Sequence, residues 1–266
     1  MKIAFIGGGV MAEAMVRGIL NKELTTPSAI GVSDISEVRR KALSSSYGVN
    51  TFTSNLEAIS GAEVVVLAIK PQDLTKVLAE LSGHIHAEQL VLSIIAGASL
   101  DSLCQGLNHG CLVRAMPNMP AQVSCGISVW TATSEVSREQ REKAGSILDA
   151  LGKEVYVAEE KYIDMATAVS GSGPAYVFVV IESLIEAAVH IGLPRDLAQE
   201  LVTETVLGSA QTIKILNEHP ARLRDKVTSP GGTTAAGLLE LEKGGLRAIL
   251  TQAVIAAYEK AKVLRG

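Results

Sequence analysis

The chain has 266 residues, of which 47% are hydrophobic and 20% are charged, and its formal net charge is -4. This composition is that of a globular protein and excludes a disordered or fibrous chain. The acidic balance, without a dense Lys/Arg run, argues against a nucleic-acid partner. The length predicts one large domain or two modest ones.

The first half alternates short apolar runs with longer amphipathic segments, which is typical of repeated βαβ units on a parallel sheet. One predicted helix begins with a capping box formed by Ser137 and Gln140, and Gly152 is its predicted C-cap. The predicted strands are 2–6, 29–33, 63–69, 89–94, 111–115, 126–131 and 154–157, and the predicted helices are 10–20, 37–47, 72–81, 100–107 and 138–151.

After about residue 160 no strand pattern appears, and Gly and Pro separate one helix from the next. We therefore predict an α/β domain with a parallel sheet over 1–160 and an all-helical domain over 161–266. In the second domain we expect a break at 171–174, an apolar helix over 175–193, a helix over 195–217, a short turn up to 226, a loop over 228–234 and two closing helices split at 244–245.

The helical domain is too rich in Ala, Leu and Val for every helix to keep one polar face in water. We expect part of this apolar surface to meet a second copy of the chain in a homodimer. The most apolar stretch, 175–193, carries Glu182, Glu186 and His190 at helical spacing, so it predicts a packed helix rather than a membrane span. Because no second ligand cluster accompanies these side chains, no metal site is predicted.

The sequence gives no signal for export. Three glycines interrupt the N-terminal apolar run before a signal-peptide core could form. Cys104, Cys111 and Cys125 form no C-x-x-C pair, so we expect free thiols. These features favour a cytoplasmic protein.

The sharpest motif is Gly7-Gly8-Gly9-Val10-Met11-Ala12, which matches G-x-G-x-x-G/A between a predicted strand and a predicted helix. Gly7 permits the tight turn, Gly9 lets a pyrophosphate approach the backbone, and Ala12 lets the helix lie close to the strand. The helix N-terminus favours an anion at this place. A glycine turn without a ligand is the alternative, which the strand and helix context disfavours.

Residues after the second strand bear on the choice between NAD and NADP. Asp34 lies where a carboxylate could bind the ribose 2'-hydroxyl, which favours NAD. Ser33, Arg39 and Arg40 could instead hold the 2'-phosphate of NADP, or the two arginines could form a solvated helix face. The residues leave both cofactors open.

Two further segments follow predicted strands. Lys70 could contact a cofactor or substrate, because ligands of open α/β sheets bind outside the carboxyl ends of the strands. Its stem could equally lie over apolar surface. The segment 114–120 ends near the same edge, stiffened by two prolines.

The second strong motif is the turn 229–234, with two glycines between hydroxyl residues. Its successive N–H groups and hydroxyls can form a concavity for a small carboxylate. The alternative is a plain helix N-cap.

Several motifs together resemble the pyrroline-5-carboxylate reductase family over nearly the whole chain. The turn 229–234 with the residues that follow it is the most specific of them. The motifs are IGGGVM at 6–11, AIKP at 68–71, RAMPN at 114–118, VSGSGPAY at 169–176 and the stretch 229–242.

The resemblance implies a Rossmann domain, a helical domain that interlocks with its mate, and often a ring of dimers. It implies reduction of 1-pyrroline-5-carboxylate to L-proline with NADPH or NADH. It further implies that Ser229, Gly232 and Thr233 hold the substrate carboxylate and that Thr234, the predicted catalytic residue, hydrogen-bonds the ring nitrogen. With Asp34 added from its position, the predicted cofactor residues are Ile6, Gly7, Gly8, Gly9, Val10, Met11, Ser33, Asp34, Asn55, Ala68, Ile69, Lys70, Pro71, Ile94, Ile95 and Ala96.

Two alternatives stay open at this point. A β-hydroxyacid dehydrogenase would use a lysine of the helical domain as its acid and base, yet no lysine lies three or four residues after the segment 170–174. A non-catalytic dinucleotide sensor would not need the turn 229–234.

Overall fold

The structure is a computed structural model that describes residues 1–265. Residue 266, the last residue of the predicted second domain, lies outside the described residues. The chain divides into a first unit, which comprises residues 1–172 and the segment from residue 257 onward, and a second unit of residues 173–256.

The first unit contains an eight-stranded sheet with the order β3-β2-β1-β4-β5-β6-β7-β8. All neighbouring strands are parallel except β6 and β7, which are antiparallel. The predicted α/β class with a Rossmann-type sheet is confirmed. The strands are β1 Ile3–Ile6, β2 Ile30–Ser33, β3 Asn50–Phe52, β4 Val64–Leu67, β5 Leu90–Ser93, β6 Leu112–Met116, β7 Gly126–Ala132 and β8 Gly152–Tyr156.

The central strands are continuous apolar runs because helices cover both faces of the sheet. Every residue of β1, β4 and β5 is buried. Phe5 belongs to the core on one face and Ile6 to the core on the other, as the two-residue period of a strand requires.

The carboxyl ends of four parallel strands lie side by side. Ile6 pairs with Ser33 on one side and with Leu67 on the other, and Leu67 pairs with Ser93. The strand order reverses between β1 and β4, and in open α/β sheets this is the point where ligands bind.

Helices connect these strands. The predicted capping box is present, with Ser137 and Gln140 exchanging side-chain and backbone bonds. The predicted C-cap is wrong, because the helix ends at Asp149 and Gly152 begins β8. The helices of the first unit are α1 Val10–Asn21, α2 Glu37–Tyr47, α3 Asn55–Ile59, α4 Leu74–Leu81, α5 Leu100–Leu107, α6 Arg138–Asp149 and α7 Lys161–Ala166, after which a π-helical turn spans Thr167–Gly171.

The later part of the chain contains only helices among its described residues. The predicted turn before Lys226 is wrong, because Pro220 begins a helix, a position where its missing N–H has no consequence. The helices are α8 Gly173–His190, α9 Arg195–Leu216, α10 Pro220–Lys226, α11 Thr233–Lys243 and α12 Leu246–Arg265.

The second unit exposes much apolar surface. Phe178 and Val179 of α8 are 50% and 60% exposed, and α8 contains no buried residue. Within one chain α8 is therefore not buried, and the expectation that it is a packed helix stays a prediction. By length and composition alone, the helical stretch Lys161–His190 could cross a membrane, and the core helix of a soluble protein passes the same test.

Two helical glycines should respond to Ala substitution with opposite signs. A Cβ at Gly18 in α1 would collide with the carbonyl oxygen of Ala150, so Gly18→Ala should lower the free energy of unfolding by about 1–3 kcal/mol. A Cβ at Gly145 in α6 would lie 3.8 Å from Trp130, so Gly145→Ala should raise it by about 0.5–1 kcal/mol. Urea unfolding of both variants measures these two changes in the free energy of unfolding. A lower free energy of unfolding in Gly145→Ala would contradict the prediction.

Candidate active site

The glycine turn after β1 fits tightly between two strands. Gly7 has a φ of +97°, and its N–H donates to the Ser33 carbonyl oxygen at 2.8 Å. A Cβ at Gly7 would lie 2.7 Å from the Ala68 carbonyl oxygen, at the end of β4. Only glycine therefore fits this position.

The turn leads into the N-terminus of α1 with the shape expected for an anion site. Gly9 is the N-cap in extended conformation, and a Cβ there would meet no heavy atom within 4 Å. The first N–H groups of α1, at Val10 and Met11, have no partner within the helix. Ala12 is 1% exposed and lets the helix lie close to the sheet. The geometry therefore fits the pyrophosphate of a dinucleotide.

Asp34 is fixed against this turn. Its Oδ2 accepts the Gly8 N–H and its Oδ1 accepts the Ser36 N–H, both at 2.7 Å. Arg40 Nη1 donates to the Asp34 backbone oxygen at 2.5 Å. A fixed carboxylate thus lies at the end of β2, where the adenine ribose binds in Rossmann folds.

Arg39 joins the turn to α1. Its Nε donates to the Gly8 oxygen at 2.9 Å, and its Nη2 pairs with Glu13 Oε2 at 2.7 Å. The hydrogen bond from Arg39 lowers the pKa of Glu13, and burial raises the pKa of Tyr47, whose hydroxyl donates to the same carboxylate. Glu13 therefore already balances the charge of Arg39.

Ser33 and Asn55 contact each other. Ser33 is fully buried and donates to Asn55 Oδ1 at 2.7 Å, while Asn55 Nδ2 donates to Glu80 at 2.8 Å. The Ser33 hydroxyl orients Asn55 and does not face solvent.

The two remaining predicted cofactor segments follow β4 and β5. Ala68 and Ile69 are half-buried, whereas Lys70 and Pro71 are exposed. In the segment after β5, Ile94 and Ala96 are half-buried and Ile95 is buried. Since the ends of these strands are in register with β1, the structure brings the predicted cofactor residues together along one edge of the sheet.

Gly97 closes the segment after β5 against the C-terminal helix. It has a φ of +80°, and a Cβ there would lie 2.6 Å from the Leu264 backbone oxygen. Residues from 257 onward therefore support this segment from within the first unit.

A buried ion cluster that the sequence did not predict joins β6 to α7. Arg114 is 2% exposed and pairs with Glu160 at 2.6 Å and with Asp164 at 2.8 Å. Glu160 also accepts the Leu100 N–H at 2.8 Å. An arginine inside an apolar strand was the available signal, but its partners lie about fifty residues away in sequence.

The predicted carboxylate turn lies in the second unit. Gly231 has a φ of +69°, and the Gly232 N–H donates to the Ser229 oxygen at 3.0 Å. Gly232 is the N-cap of α11, and no side chain caps this helix. Ser229, Thr233 and Thr234 are exposed, so hydroxyls and free N–H groups are gathered at one helix N-terminus.

Comparison with known proteins identifies the family. Residues 160–264 match the family described as pyrroline-5-carboxylate reductase dimerisation, and residues 2–97 match coenzyme F420-dependent NADP oxidoreductase. Over 264 residues the chain is 45% identical to a pyrroline-5-carboxylate reductase of Synechocystis, with 99% of this chain and 98% of that protein covered. The chain belongs to the pyrroline-5-carboxylate reductase family.

Solved structures of pyrroline-5-carboxylate reductases support the same family assignment. The Coxiella burnetii protein has a TM-score of 0.90 at 37% identity, and the Plasmodium falciparum protein, solved with NADP bound, has 0.91 at 32%. Each comparison covers 100% of this chain and 98% of the other. The match to a dimerisation domain supports self-association, and neither a hydroxyacid dehydrogenase nor a non-catalytic sensor is favoured.

The fixed carboxylate of Asp34 should influence the choice of cofactor in this reductase. A 2'-phosphate beside it would be repelled, so Asp34→Ser should raise the NADPH/NADH ratio of kcat/KM by about tenfold. Initial rates with both cofactors measure this ratio. Glu37→Gln, which removes a nearby carboxylate paired with Lys41, is the matched control. An unchanged ratio in Asp34→Ser would remove this residue from the ribose site.

The Glu13–Arg39 pair should add stability that depends on pH. The lowered pKa of Glu13 means that its contribution is present above the unfolded value of about 4.3 and is lost as pH falls through the folded value. Glu13→Gln should therefore have a lower Tm than the wild type at pH 7, and the difference should shrink toward pH 3. Thermal unfolding across this range checks the expectation, which a constant difference would refute.

Proposed function

We propose that the chain reduces 1-pyrroline-5-carboxylate to L-proline by hydride transfer from NADPH or NADH. The observation that carries the proposal is the full-length family match, in a chain that has both a glycine turn suited to a pyrophosphate and a glycine turn suited to a small carboxylate. This reaction is the last step of proline biosynthesis in the family.

The carboxyl edge of the sheet would hold the dinucleotide, which supplies the hydride when bound. The turn Gly7–Gly9 and the N-terminus of α1 would bind the pyrophosphate through backbone N–H groups. Asp34 would accept hydrogen bonds from the adenine ribose, and Asn55, oriented by Ser33, would contact the sugar nearby. The segments 68–71 and 94–96 would hold the nicotinamide half.

The turn 229–234 would hold the substrate. Ser229, Gly232 and Thr233 would bind the carboxylate at the N-terminus of α11, where hydroxyls and the helix dipole both favour an anion. Thr234 would hydrogen-bond the ring nitrogen. These assignments rest on the family resemblance together with the exposure of the three hydroxyls.

The reaction makes modest demands on side-chain chemistry. A protonated cyclic imine is already electrophilic at carbon, and accepting a hydride there leaves a neutral secondary amine. The protein therefore has mainly to hold and orient two reactants, which can contribute about 7–11 kcal/mol to barrier lowering. No catalytic dyad is needed for this step.

The proposal extends to assembly and location. The exposed apolar faces of the second unit and the dimerisation match support a homodimer. A ring of such dimers would give a mass above that of the dimer in light scattering. The start of the dimerisation match at residue 160 supports the proposed domain boundary near that residue. We propose a cytoplasmic enzyme without a membrane or nucleic-acid partner.

A coupled set of rate measurements tests the function. Oxidation of NADPH or NADH, followed by absorbance, should depend on added 1-pyrroline-5-carboxylate and should produce proline. The same assay in the oxidative direction with β-hydroxyacids should show no comparable rate. Turnover of hydroxyacids alone would overturn the proposal.

Thr234→Ala should lower kcat and leave the Kd for NADPH unchanged. A hydrogen bond to a charged group contributes about 1.5–3 kcal/mol, which corresponds to roughly ten- to hundredfold in rate. Steady-state kinetics and fluorescence titration of NADPH measure the two quantities. Thr251→Ala is the matched control, because the Thr251 hydroxyl donates to the Arg247 carbonyl oxygen of its own helix. Equal loss of kcat and cofactor affinity would make the role of Thr234 structural.

A further inference from the structure

Asn118, the second residue after the end of β6, joins two distant segments through its side chain. Its Oδ1 accepts the Ile127 N–H at 2.9 Å, and its Nδ2 donates to the Ser170 carbonyl oxygen at 3.0 Å. The residue is 8% exposed. An amide used in this way fixes its own loop and the segment at residue 170 together.

The Ser170 carbonyl lacks the N–H donor that a regular α-helix would offer it. In an α-helix it would accept the N–H of residue 174, but Pro174 has no N–H. The chain forms a π-helical turn at this point, with the Ser172 N–H donating to the Thr167 oxygen at 2.8 Å. Asn118 thus supplies a hydrogen bond that the proline removes.

A second contact joins the same segments. A Cβ at Gly171 would lie 3.2 Å from Met116 Cε, so the turn rests directly on the end of β6. β6 pairs in parallel with β5, and the segment after β5 contains Ile94, Ile95 and Ala96. Asn118 therefore ties the π-helical turn to the edge formed by the second half of the parallel sheet.

That edge is where the reactive ring of a dinucleotide belongs. A Rossmann sheet consists of two mononucleotide-binding halves, and the pyrophosphate lies at the switch point between them. With the adenosine half on β1 to β3, the nicotinamide half falls on β4 to β6. We propose that Asn118 is a positioning residue that holds the end of β6 in place for the nicotinamide ring. This inference rests on the proposed function.

Kinetics of three variants test this role. Asn118→Ala should lower kcat for 1-pyrroline-5-carboxylate by about tenfold or more, because a small misplacement of the reactants lowers the rate steeply. The Kd for NADPH should stay within about twofold of the wild-type value. Asn118→Asp keeps the acceptor for Ile127 and lacks the donor for Ser170, so its kcat should fall similarly. Asn50→Ala removes another side-chain bond to a backbone carbonyl, at Ser28, and should leave kcat unchanged.

Pro174→Ala provides a rescue, because it restores a backbone N–H at position 174. The single variant should change kcat by less than about twofold. The double variant with Asn118→Ala should have a kcat at least about threefold higher than that of Asn118→Ala alone. An unchanged kcat in Asn118→Ala, or a double variant no better than Asn118→Ala, would overturn the proposal. The circular dichroism spectra of all variants must match that of the wild type. A loss of NADPH binding together with the loss of kcat would also overturn the proposal.

Hydrogen exchange separates this proposal from the function on which it rests. NADPH should slow amide exchange in residues 116–118 of the wild type and not of Asn118→Ala, and amides 167–172 should exchange faster in that variant. If the wild type failed to reduce 1-pyrroline-5-carboxylate, the proposed function would be wrong. Comparing hydrogen exchange in the wild type and in Asn118→Ala would still decide the role of Asn118. Equal exchange in the wild type and Asn118→Ala would refute that role.

Discussion

The close approach of the glycine turn after β1 to the end of β4 is the constraint on which the rest of the first unit depends. Gly7 leaves no space for a side chain beside the Ala68 carbonyl. Since β1 and β4 are adjacent in the sheet and the strand order reverses between them, the turn opens α1 at the switch point. One residue without a Cβ thus sets the place of the helix N-terminus and the direction in which its N–H groups point.

Both candidate anion sites are built from backbone rather than from cations. The N-terminus of α1 and the N-terminus of α11 are each capped by a glycine, Gly9 and Gly232, and neither receives a side-chain cap. Arg39, whose Nε donates to the Gly8 oxygen, is paired with Glu13. Recognition by fixed dipoles needs little rearrangement of side chains when an anion binds, which suits a reaction that depends on orientation.

The sequence predicts the elements that follow from burial and spacing, and it fails where tertiary contacts decide. Continuous apolar runs predict β1, β4 and β5 because these strands are covered on both faces. The strand Asn50–Phe52 escapes notice because it is three residues long and half-exposed. The spacing of the glycines predicts the turn at 7–9. The hydrogen bond from Gly8 to Asp34 and the one from Asn118 to Ser170 join residues 26 and 52 positions apart, and no local pattern contains them.

The return of the C-terminal helix to the first unit has a consequence for biosynthesis. The segment after β5 is closed at Gly97 by the backbone of Leu264, so it stays incomplete while the 167 residues up to Leu264 are still being added. A nascent chain emerging from the ribosome can pair its central strands early, since these need only the first hundred or so residues. The ligand-binding edge acquires its final support only when residue 264 has been translated and released from the exit tunnel.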